Sequence, residues 1–115
     1  MIDNFLPVEV EIGKSPLFQL GRIYANKSLV KILKGSDLLE TVIFSCIERH
    51  ASGDFGIIGD HDSDMNWANI RADNGLILSL YKNSLISEGL AVVTEHGVTV
   101  ISPFKELEQF SRLLP

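Results

Sequence analysis

This chain of 115 residues is short of cysteine, tryptophan and base: one Cys, one Trp, and 10 Lys or Arg against 15 Asp or Glu. Each scarcity excludes something. A single Cys46 cannot close an internal disulfide, and its place among apolar residues at helical spacing makes it a reduced structural thiol rather than a nucleophile. The net charge of -5 argues against direct nucleic-acid binding and against an anionic membrane surface. It is also too small for a phosphate-mimicking decoy. No stretch approaches the roughly 18 apolar residues of a membrane-spanning helix. The opening Met1-Ile2-Asp3-Asn4-Phe5-Leu6-Pro7 has acid where an export signal needs base. A soluble, cytoplasmic protein is expected.

Repeats, low-complexity tracts and linkers are missing too, and 45% apolar with 22% charged residues is an ordinary globular balance. One domain over residues 1–115 follows. A chain this long hides about two thirds of its unfolded surface, so neither disulfide, metal nor cofactor is needed to hold it together.

What is present falls into two halves. Val8-Glu9-Val10-Glu11-Ile12 alternates apolar and acidic residues, the period of a half-buried strand, and Leu17 to Ala25 reads as a second extended stretch with Gly21 allowing a bulge or a close backbone approach. Asn26 can cap a short helix over Ser28 to Lys34, stopped by Gly35. Ser36 or Asp37, with Glu40, caps the strongest helix, whose stripe Leu39, Val42, Ile43, Cys46 and Ile47 extends to His50. His50 is thus expected on the buried edge of the helix end, and Glu48 toward solvent. Gly53 and Gly56 break that pattern. Asp60 or Asp62 can cap a third helix through Met65, Trp67, Ala68 and Ile70 to Ala72, ended by the turn signal Asp73-Asn74-Gly75.

Strands then follow at Leu76 to Tyr81, Leu90 to Thr94 and Val98 to Ile101, the last two forming a hairpin around Glu95-His96-Gly97. Pro103 is placed to open a short amphipathic helix through Phe104, Leu107, Phe110 and Leu113. The expected fold is α+β, an antiparallel sheet with helices grouped on one face.

The polar segment between the halves carries the candidate chemistry. Asp60, Asp62 and Asp64 have the spacing of the first calcium ligands of an EF-hand, but Met65 stands where that loop needs Gly, and Arg71 where it needs Glu. A solvated helix start is the better reading. His50, His61, Asp54 and Asp62 combine imidazole with carboxylate, the groups that ligate metals or move protons, yet their spacing fits no zinc pattern. Ser52 lacks the frame of a nucleophile elbow. Thr94-Glu95-His96 is a second polar spot, at a hairpin tip. Phe55 and Trp67 are expected to seal the hinge onto the core.

In order and spacing, Leu20-Gly21-Arg22-Ile23-Tyr24-Ala25, Arg49-His50-Ala51-Ser52-Gly53-Asp54-Phe55-Gly56, Asp62 and Asn66, Leu78-Ser79-Leu80-Tyr81, and Val93-Thr94-Glu95 resemble one known group. These are the small plasmid- and phage-borne proteins with an R-H-x-S-G-D-W-G motif, often labelled plasmid-related proteins or type I restriction endonuclease subunits. The resemblance runs from about residue 17 to residue 105 and implies a mobile-element setting. Such chains are too short for methyltransferase, helicase or nuclease machinery. Three departures stand out: Phe55 replaces the motif's tryptophan, Ile57 replaces an acidic residue, and His96-Gly97-Val98 replaces Ala-Asp-Arg.

Two functions compete. The first is a non-catalytic binding protein of a mobile element, a counter-defence or accessory factor engaging a protein or a small nucleotide through Arg49, His50, Ser52, Asp54, Asn66 and Glu95, with a homo-oligomer open. The alternative is a small hydrolase or metal-dependent enzyme with His50 as base and Asp54 and Asp62 as orienter or ligand. Beside both stands a structural reading of the motif. Arg49 would pair with Asp54, His50 and Ser52 would bond open carbonyls, and the glycines would make the turn.

Overall fold

A computed structural model describes residues 4–13, 15–33, 39–83 and 86–104. Five strands and three helices follow in the order β1 (Phe5–Val8), β2 (Arg22–Asn26), α1 (Lys27–Leu33), α2 (Leu39–Ala51), α3 (Asp60–Ala72), β3 (Ile77–Asn83), β4 (Ile86–Glu95) and β5 (Val98–Pro103). They form one sheet ordered β1-β2-β5-β4-β3. The class is α+β. Every pairing is antiparallel except β2 with β5, which run parallel because the helices and the β3–β4 hairpin intervene as a crossover.

Register explains where the first strand lies. Val8 pairs with Ile23 at the end of the β1–β2 ladder, and Gly21 at φ 63 turns the chain just before Arg22. Among the described residues Glu9 onward therefore has no partner strand, and the alternation over Val8 to Ile12 packs Val10 and Ile12 against the core without a ladder there. Gly21 makes the close approach its position suggested. A Cβ there would collide with the Gly97 carbonyl, to which Arg22 N–H donates at 3.0 Å.

Asn26 caps α1, its Oδ1 accepting from Ser28 N–H at 2.7 Å. The expected caps of α2, Ser36 and Asp37, lie outside the described residues. Ile43, Cys46, Ile47 and Ala51 of α2 meet Leu29 of α1 and Ala25, Tyr81, Leu90, Val92 and Ile101 of the sheet in the main core. A smaller cluster of Phe5, Val93 and Val100 holds the opposite face.

Of the other expectations, the helix end at Asp73 and the hairpin at His96-Gly97 stand, and the rest shift. The N-cap of α3 is Gly59, with no side-chain bond, so Asp60 and Asp62 act only as first-turn charge favoured by the helix dipole. Its buried residue is the polar Asn66, while Met65 and Trp67 stay exposed because this helix lies along the sheet's edge and touches it with side-chain amides. The Asp73 turn is a left-handed C-cap, φ 53, whose N–H bonds Asn69 and Ile70 carbonyls. His96 and Gly97, both at positive φ, form the two-residue β4–β5 turn. Pro103 closes β5 opposite Leu90, at a strand end where a missing N–H costs little, and Phe104 directly after it takes 3₁₀ conformation. Leu107, Phe110 and Leu113 lie outside the described residues.

Candidate functional site

His50 ends up where the helical phase puts it, fully buried. What surrounds it fixes every proton. Thr99 Oγ1 donates to the Leu20 carbonyl at 2.6 Å, a group that can only accept. The Thr94–Thr99 contact at 2.7 Å must then run from Thr94 to Thr99. Thr94, its proton in use, accepts from His50 Nε2–H at 2.9 Å. Burial drives the imidazole pKa down to about 3, so the ring is neutral and Nδ1 accepts from the Ser79 hydroxyl at 2.6 Å. Phe18 closes the site edge-on, its ring centroid 5.1 Å from the imidazole. The hydroxyl chain ties α2 to β3, β4, β5 and the Leu20 segment.

The neighbouring motif residues form a second unit at the surface. Arg49 holds Asp54 through two bonds, Nε to Oδ2 at 2.7 Å and Nη2 to Oδ1 at 3.2 Å, and its guanidinium lies 4.4 Å over the Tyr81 ring. Hydrogen bonding to Arg49 keeps the Asp54 carboxyl below its ordinary pKa. Asp54 Oδ1 also accepts from Gly56 N–H at 3.2 Å, its carbonyl accepts from Tyr81 O–H at 2.6 Å, and Ser52 Oγ donates to the Arg49 carbonyl at 3.0 Å. This turn aims the chain at β3.

There it seals the sheet's edge. Leu80 donates to the Phe55 carbonyl at 3.0 Å and accepts from Ile57 N–H at 2.8 Å, while the Asn66 amide brackets Leu78, donating to its carbonyl at 2.7 Å and accepting from its N–H at 2.9 Å. Asn69 Nδ2 reaches the Leu76 carbonyl at 2.7 Å. Every outward-facing main-chain group named here has a partner. Gly56 must be glycine: its φ is 74 and a Cβ would strike the Leu80 carbonyl. Phe55 is buried with Trp67 against it, ring centroids 5.3 Å apart, so the pair seals the hinge.

The proposed chemistry is not assembled. Both nitrogens of His50 are taken by hydroxyls, so neither Asp54 nor Asp62 orients the ring, and the hydroxyls replace the carbonyls expected as its partners. Asp54 is bound to Arg49, and Asp60, His61, Asp62 and Asp64 are exposed on α3. Among the described residues no group of three His, Cys, Asp or Glu could hold a metal. Burial raises the Cys46 thiol to about 11, which leaves it protonated and unreactive. Glu95 and Asp73 line a polar cavity of about 170 Å³ beside the hairpin turn, too small for a nucleotide and of the wrong charge for phosphate. A larger groove, about 860 Å³ and mostly apolar, lies between the β1 segment and the α1 and α2 helices.

Sequence reasoning missed Ser79 and Thr94 as partners of His50, Thr99 as the next link of that chain, Tyr81 as the partner of the Asp54 carbonyl, and Asn69 as a partner of the edge. Ser79, Tyr81 and Thr94 stood in the motif pieces without a role, and the hydroxyls' signal was polarity at inward strand positions, which becomes informative once the strands are paired; Asn69 on α3 carried no signal. No family model, curated protein or solved structure matches this chain.

Proposed function

We propose that this is a non-catalytic binding protein of a mobile genetic element, an accessory or counter-defence factor that engages a protein partner. One observation carries the reading: His50, the only candidate base, is buried with both its nitrogens occupied, and Asp54 is held by Arg49, while Asp62 stands apart on exposed α3. A general base must reach a substrate proton, and this imidazole has no free nitrogen to do so. The mobile-element setting rests on the likeness of Arg49 to Gly56 to the R-H-x-S-G-D-W-G motif. A protein partner is preferred to a small nucleotide because carboxylates line both the small cavity and the large groove.

Two measurements test this. Purified protein, with and without divalent metal, is incubated with a panel of nucleotides and phosphodiesters, and no turnover is expected. Turnover abolished by His50→Gln or Asp54→Ala would overturn the proposal. Expression in a host carrying a restriction system should raise the plating efficiency of unmodified phage, and the Asp54→Ala protein should retain that effect wherever it remains folded.

A further inference from the structure

With the motif occupied in holding the fold together, binding needs another surface. We infer that the groove between β1 and the two core helices receives an amphipathic, lysine- or arginine-bearing helix of a partner protein. This rests on the non-catalytic reading above and names the partner's chemistry.

The floor of the groove is Val8, Val10, Val30 and Ile43, all in contact with the core. Leu6 and Phe44 stand at its rim, 38% and 40% exposed, large apolar side chains left facing water. Glu9, Glu11 and Glu40 border the same groove, all exposed, and no Lys or Arg is among its described lining residues. An apolar floor inside a rim of one sign selects an occupant with apolar anchors flanked by the opposite sign. The carboxylates among the described lining residues repel nucleic acid and anionic lipid. A volume of about 860 Å³ accommodates several side chains from successive helical turns.

An added strand fits less well. Lys27 N–H donates to the Asn4 carbonyl, so by alternation Leu6 and Val8 turn their main chains toward β2 and Pro7 turns outward. Pro7, itself in the groove lining, has no N–H to offer a docking strand. Recognition here must come through side chains, which a helix supplies.

The test uses the whole protein and two labelled synthetic helical peptides, both with leucines on one face, one flanked by lysines and the other by glutamates. Fluorescence anisotropy should show the lysine peptide binding, more weakly as salt rises, and the glutamate peptide not binding. Glu9→Lys with Glu11→Lys, both outside helices and strands, should weaken the lysine peptide about tenfold and admit the glutamate peptide. Phe44→Ala should weaken the lysine peptide while unfolding midpoints confirm that all variants fold. Equal binding of both peptides, indifference to the charge reversal, or sedimentation with phosphatidylglycerol vesicles would overturn the inference. Those results leave the non-catalytic reading standing, whereas turnover in the substrate panel removes that reading itself.

Discussion

The sheet has two edges, and the chain treats them differently. At β3, Leu76, Leu78 and Leu80 present main-chain groups outward, and the chain covers them with Asn69, Asn66 and the Phe55–Ile57 segment. At β1 the strand is only four residues long and carries Pro7. One edge is closed by bonding, the other by brevity and a missing donor, two established ways of preventing edge-to-edge association. The difference teaches what the motif is for. Arg49 to Gly56 forms the turn that delivers the Phe55–Ile57 segment to β3.

Breaking the β3 closure should therefore have the largest effect. Gly56→Ala places a Cβ against the Leu80 carbonyl at a positive φ, and the expected loss is about 3 kcal/mol or more, read by denaturant unfolding. Asn66→Ala removes both partners of Leu78 from a buried site, with an expected loss of about 2–4 kcal/mol. Asn66→Asp should be nearly as damaging, because a carboxylate can accept from Leu78 N–H but cannot donate to its carbonyl.

The contrast also shows what could be read before the fold was known. The helical phase of Ile43, Cys46 and Ile47 located His50 in the core, turn chemistry located the His96-Gly97 hairpin, and the structural reading of the motif paired Arg49 with Asp54. Each of these is local. The Ser79, Thr94 and Thr99 hydroxyls lie 29 to 49 residues from His50 in sequence. They come together only because β3, β4 and β5 are adjacent. Asn66 was legible as a motif residue but not as an edge cap, since that role requires knowing that β3 is the last strand. Val8 to Ile12 misled for the same reason: alternation identifies apolar positions, but a ladder also needs a partner, and β2 runs out at Arg22.

His50 adds a pH term to the well-bonded side of the comparison. In the fold its pKa is about 3, against an ordinary 6.5 when the chain is unfolded, so below pH 6.5 the unfolded state binds a proton that the fold refuses. Stability should fall as pH drops from 6.5 toward 3, by about 2 kcal/mol between pH 7 and pH 5 from this group alone. His50→Gln should be less stable at pH 7 but show a shallower acid slope. An unchanged slope would mean that His50 titrates normally in the fold. The Arg49–Asp54 pair, though bidentate, is half exposed, and a double-mutant cycle should return only about 0.5–1 kcal/mol of coupling.

The β1 edge supplies the smallest change in stability and the sharpest change in kind. Pro7→Val restores an outward N–H on an edge strand and adds a β-branched residue at an exposed position. Unfolding free energy should move by less than about 1 kcal/mol, since Pro7 makes no inward ladder bond to lose. Association should change instead, with the variant eluting as a larger species than the wild type at equal concentration in size-exclusion chromatography. If the variant elutes like the wild type, Pro7 is not what guards this edge, and the shortness of β1 alone must account for it.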